Sequence, residues 1–186
     1  EIAAIIPFYS NEGVNSTCIL LHDGSKIYKP CSVKKYLHYM LYEFHLDPRA
    51  VAHWTYEVIG SKLNTPLTIS NDIIFLPVKM RPTVSKQDGC FGYVNNAFIS
   101  SYDDKIIHLC NGETLSTLSS KTYLQKKQYD AKLLSYAYMD HKKQYEFMNP
   151  SVNPIHPSNP SISSNPSGSL NAANPLNNIT ASNAIK

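Results

Sequence analysis

Seven glycines and one tryptophan are all that the 186-residue sequence contains, and its four cysteines form no Cys-x-x-Cys pair. No glycine falls in a Walker-type, dinucleotide-binding or Gly-x-Ser-x-Gly pattern, so a Gly-rich phosphate cradle and a nucleophile elbow are both missing. The scattered Cys18, Cys31, Cys90 and Cys110 lack the spacing of a tetrahedral metal site. They read as reduced thiols of a cytoplasmic protein. Apolar runs such as Ile19 to Leu21 and Ile73 to Leu76 are strand-sized, far short of the ~18 residues that span a membrane. A strong excess of one charge is also absent. Seventeen Lys and Arg against fourteen Asp and Glu leave a net +3. The isoelectric point near 8.6 falls below the ~9 of a strongly basic nucleic-acid binder.

What is present is unevenly placed. Residues 149–186 hold six of the twelve prolines, nine Asn and eight Ser, but a single charge, Lys186. So little large apolar surface cannot offset the entropy of ordering a chain, and a disordered tail is expected there. Residues 1–148 are the expected folded domain, long enough for a real core. The lysines cluster. Lys26, Lys29, Lys34 and Lys35 lie in a stretch with no acidic residue between Asp23 and Glu43. Residues 121–146 carry six lysines against Asp130, Asp140 and Glu146. Solvated surface is the plain alternative for each cluster.

The chain opens with strand signals at Ile2 to Ile6, Thr17 to Leu21 and Lys26 to Tyr28, the last two joined by the hairpin dipeptide Asp23-Gly24. Ser32 then precedes Val33, Leu37, Met40, Leu41 and Phe44 at helical spacing, with Lys34, Lys35, His38, Tyr42 and His45 largely opposite. Asp47-Pro48 stops that helix and supplies a cap and a first residue for a second, which Gly60 ends. Strand runs return at Leu67 to Ile69, Ile73 to Pro77, Phe91 to Val94 and Ala97 to Ser100, with an exposed polar loop over 79–90. Asn111-Gly112 joins two more runs, Lys105 to Cys110 and Glu113 to Leu118, and a long helix follows Ser119-Ser120. Its apolar stripe is Leu124, Ala131, Leu134, Ala137, Tyr138 and Tyr145, with lysines on its other faces. The expected fold is α+β: a mostly antiparallel sheet, a central helical pair and a long C-terminal helix, followed by the tail.

An enzyme is disfavoured. His38 and His45 are two turns apart, too far for the His-x-x-x-His pair of a zinc hydrolase. His108 and Cys110 share one strand face, where two partly buried core side chains are the plain reading. No catalytic residue, metal ligand or cofactor is assigned. The Asp47-Pro48 junction has the outline of a helix-turn-helix, yet Arg49, His53, Tyr56 and Glu57 include only one strong phosphate or guanine partner. An αα-hairpin packed on the sheet fits better.

The order of several short strings resembles the competence transcription factor family, ComK. They are Thr65-Pro66-Leu67, then Ser70-Asn71-Asp72-Ile73-Ile74-Phe75-Leu76-Pro77, a loop with Arg81, and Cys90-Phe91-Gly92-Tyr93-Val94-Asn95. Asn111-Gly112-Glu113-Thr114-Leu115 and Ser120, Leu124 and Lys127 look like the family's hairpin and following helix. The likeness spans about residues 1–145. The chain departs from it at 44–51, where the family's glycines are missing and Arg49 stands close to, not on, the family arginine. The resemblance implies a cytoplasmic activator of DNA-uptake genes, a homo-oligomer binding double-stranded, AT-rich promoter DNA largely through the minor groove, with RNA polymerase as a further partner. Arginine and lysine on a loop suit a narrow, strongly negative A·T minor groove. Lys79, Arg81 and Lys86 are therefore expected in the groove, and Lys34, Lys35, Lys126 and Lys127 on phosphates. Arg49 completes the candidate set. A non-enzymatic protein-interaction or adaptor domain with Tyr-rich helices is the alternative.

Overall fold

The computed structural model describes residues 1–85 and 88–148. Lys86 and the 149–186 segment lie outside them. Among the described residues, nine strands and three α-helices follow in the order β1 (Ile2–Tyr9), β2 (Asn15–Leu21), β3 (Lys26–Lys29), α1 (Val33–Glu43), α2 (Pro48–Ile59), β4 (Leu67–Thr68), β5 (Ile74–Lys79), β6 (Phe91–Asn95), β7 (Ile99–Asp103), β8 (Ile106–Leu109), β9 (Thr114–Ser116) and α3 (Lys121–Met148). The fold is α+β with a large antiparallel sheet and a long last helix, as the sequence pattern implies. Residues Ala97 and Phe98, expected in a strand, instead form a short 3-10 turn that Asn95 caps by accepting from the Ala97 N–H.

The main sheet has the order β3-β2-β1-β6-β5-β4, all antiparallel, and β7-β8-β9 form a second small sheet. Five consecutive residues of β5, Ile74 to Val78, are buried, which requires cover on both faces of the sheet. Alternation sorts them. Ile74, Leu76 and Val78 join Ala4, Val94, Leu124, Ala131 and Leu134 in one cluster, which also takes Ile107, Leu109 and Leu115 from the small sheet. Phe75 faces the other way and packs with Ile5, Val33, Leu37, Met40 and Leu41. Thus α1 covers one face, while α3 and the small sheet cover the other. Each fully buried Leu or Ile here contributes about 1.5–3 kcal/mol.

The local signals explain the element ends. Ser32 accepts the Lys35 N–H at the start of α1. Asp47 accepts the N–H groups of Arg49 and Ala50, Pro48 opens α2, and Gly60 ends it in the left-handed region at φ +67°. Prolines 7 and 77 sit inside strands without breaking ladders. β6 pairs with β1 only at Ala4 and Ile5, and β4 pairs with β5 only at Ile74 and Phe75, so both prolines lie beyond the paired stretch on one side. The free Pro77 carbonyl accepts from the Tyr123 hydroxyl at 3.1 Å.

One expectation about a helix face changes. Phe44, placed on the apolar side of α1, is 47 % exposed because it is the C-cap, past the last turn facing the sheet. The helical pair packs on the sheet at two places: α1 on β1 and β2, and α2 on the edge strand β4 and against α3, with Trp54 edge-on to Tyr138 at 6.1 Å.

Candidate nucleic-acid interface

The outer face of α1 follows from its inner one. With Val33, Leu37, Met40 and Leu41 against the sheet, the 3.6-residue period turns Lys34, Lys35, His38, Tyr39 and Tyr42 to solvent. These five line a shallow concavity of about 390 Å³, and the Lys35 ammonium stands 5.8 Å from the centre of the Tyr39 ring. No acidic residue occupies the first turn of α1. Neither Lys34 nor Lys35 has a carboxylate partner among the described residues. The preceding strand β3 is exposed at all four residues and adds Lys29 at the entry to the same helix.

Lys34 also reaches a second cleft, of about 380 Å³, whose walls include Asn15, Ser32, Gly89 and Tyr93. Arg81 does not line this cleft but holds two residues that do, Asn15 and Gly89. Its Nη2 donates to Asn15 Oδ1 at 2.7 Å, its Nε donates to the Gly89 carbonyl at 3.1 Å, and its guanidinium carbon stacks 3.9 Å from the centre of the Tyr9 ring. Tyr9 itself donates to Asp88 Oδ2 at 2.7 Å and accepts the Val84 N–H. Strand ends 66 residues apart are thereby clamped together through one arginine. Because Asn15 Oδ1 is taken by the guanidinium, the donor end of that amide is left for another group. Burial pushes the Tyr93 phenol above its ordinary range, so it stays neutral in this cleft.

The other expected residues fall elsewhere. Lys79 is exposed at the end of β5, its backbone held by Ser119, Leu118 and Thr117 just before α3. Lys126 is exposed on α3, one turn beyond Tyr123, which binds the Pro77 carbonyl on that same strand. Arg49 is exposed at the first turn of α2. Lys127 is not on the surface. It is 4 % exposed and its Nζ is 3.0 Å from Asp130 Oδ2, so its ammonium cannot reach a phosphate. Arg81, expected in a groove, is occupied by its own chain.

Asn15 is the residue that sequence reasoning passes over. In the chain it is only the start of an Asn-x-Thr string, and its link to Arg81 is visible only when β2 and the loop after β5 meet. The Cys110 thiol, expected partly buried, is exposed, and His108 Nε2 lies 3.3 Å from Asp103 Oδ2 across the β7–β8 hairpin. Among the described residues, no three His, Cys, Asp or Glu side chains gather as a metal site, and no helix is long and apolar enough to cross a membrane. The chain matches no protein-family model, no curated protein and no solved structure.

Proposed function

We propose that the protein is a DNA-binding transcription activator of the competence type, acting in the cytoplasm on AT-rich promoter DNA. One observation carries the reading: the α1 face presents Lys34 and Lys35 without acidic partners, beside exposed Tyr39 and Tyr42, in a stretch free of acidic side chains. Unpaired ammonium groups neutralise phosphates and release counterions, which supplies affinity. Sequence preference comes from the neighbouring cleft. There the free amide donor of Asn15, held by Arg81, suits the A N3 and T O2 acceptors of a minor groove. In this reading Arg81 is a positioning residue for Asn15, and Lys79 and Lys126 add phosphate contacts at the start of α3.

A gel-shift series on AT-rich and GC-rich duplexes at increasing salt tests it. AT-rich DNA should bind more tightly, with log K falling linearly with log salt. Replacing Lys34 and Lys35 together by Gln should flatten that slope by about two. Affinity that is indifferent to both salt and the double substitution would overturn the reading.

A homo-oligomer or adaptor contact has its own surface. Tyr129, Leu133 and Tyr136 are 64 %, 38 % and 64 % exposed at helical spacing on α3, away from the buried Leu124, Ala131 and Leu134. Sedimentation of the native chain and of Tyr136→Glu distinguishes self-association on this stripe from a monomer.

A further inference from the structure

The last turns of α3 stand over the first turns of α2 and leave a pocket of about 460 Å³ between them and β4. Val51 and Trp54 of α2 and Tyr138 of α3 line it, and the buried Thr68 and Ile69 form its floor. The edge-on Trp54 and Tyr138 rings make a broad apolar wall. His141 and Lys142 stand exposed on the lip, and neither has an acidic partner among the described residues. The volume is that of small-molecule sites, ~300–1,000 Å³, which are mostly apolar with a few polar groups placed for orientation.

We propose that this pocket binds a small amphipathic monocarboxylate, an alkyl or arylalkyl acid whose chain lies against Trp54 and Tyr138 and whose carboxylate meets Lys142 and His141. The walls and lip select this class together. A sugar or nucleotide would bury many hydroxyls against largely apolar walls, where the unpaired Thr68 hydroxyl offers a single buried partner. A cationic amphiphile would bring like charge to the lip. A neutral alcohol fits the walls and forgoes the ion pair. The inference does not depend on DNA binding, since none of the Lys34, Lys35, Arg81 or Asn15 side chains lines this pocket.

The chain contains one tryptophan, and Trp54 is in the pocket wall, so its emission reports occupancy directly. Decanoate titrated into the full chain below its micelle concentration should give a saturable change, with decanol binding more weakly. Lys142→Gln should weaken decanoate by about threefold or more, the upper part of what an exposed ion pair contributes. Ala50 is exposed on α2 and lines the pocket, so Ala50→Phe should fill it and abolish the response while circular dichroism stays native. The proposal fails if decanoate gives no saturable change, if decanol binds as tightly, or if the response survives Ala50→Phe. It also fails if Trp54 emission shifts with protein concentration alone, because a second copy then covers the pocket.

Discussion

The Lys127 ammonium lies 3.0 Å from the Asp130 carboxylate on the buried side of α3, one turn apart on the same helix. Both side chains are withdrawn from water, and the Tyr123 ring stands 5.6 Å from the same ammonium. Such a pair adds little net stability over apolar residues of its size, but breaking it strands a charge. Lys127→Met should therefore cost about 3–5 kcal/mol in urea unfolding, and adding Asp130→Leu should restore most of that. A single variant as stable as the native chain would show that Asp130 finds water or another partner. Lys126→Gln, one residue away and exposed, should change stability by no more than about 0.5 kcal/mol and lower affinity for DNA of every sequence alike.

Arg81 holds Asn15, Gly89 and Tyr9 at once. Arg81→Ala and Asn15→Ala should each reduce the preference for AT-rich over GC-rich DNA. Because one acts through the other, the double variant should lose little more than either single one, a coupling of about 0.5–3 kcal/mol. Arg81→Lys should not rescue, since an ammonium lacks the planar fork that bonds Asn15 and Gly89 while stacking on Tyr9. Additive losses in a binding cycle would separate the two residues.

Gly92 pairs with Val78 where β6 passes β1. A Cβ there would meet the Ile5 carbonyl oxygen at 2.7 Å as well as the Met80 sulfur. Met80 can swing away, whereas the strand backbone cannot. Gly92→Ala should thus destabilise by about 1–3 kcal/mol, read as a lowered Tm. An unchanged Tm would mean that β1 and β6 separate without cost.

Burial, with Tyr93 and Asp130 nearby, pushes the Tyr123 phenol up to about 12. The native state keeps this proton where the unfolded chain, with a phenol near its ordinary ~10, has released it. The stabilisation is complete below the unfolded value and is lost as pH rises through the folded one, so stability should fall between roughly pH 10 and pH 12. Tyr123→Phe should flatten that fall and, by losing the bond to Pro77, cost about 1 kcal/mol at neutral pH. Denaturant unfolding of both chains on either side of this window checks it; parallel curves would assign the alkaline loss to other groups.

Much of the fold is legible from short strings. Ser32, Asp47-Pro48 and Gly60 mark helix ends where the caps are found, and Asp23-Gly24 and Asn111-Gly112 mark hairpins whose glycines have φ +84° and +87°. The exposed Lys34 and Lys35 follow from the period of Val33, Leu37, Met40 and Leu41. The long helix misleads for a specific reason. A stripe chosen by apolar type alone omits Lys127 and Asp130, because two opposite charges three residues apart can be buried as a neutral pair.

Caps, turns and amphipathic periods act within a few residues, so the elements, the α+β class and the basic face of α1 are written in the order of the amino acids. What waits for the tertiary structure is every pairing across long separations. Arg81 meets Asn15, Trp54 meets Tyr138, and α2 packs against both β4 and α3. Those meetings decide which lysines reach solvent and where the pockets open, since a charged side chain is exposed or buried according to what the distant chain brings beside it.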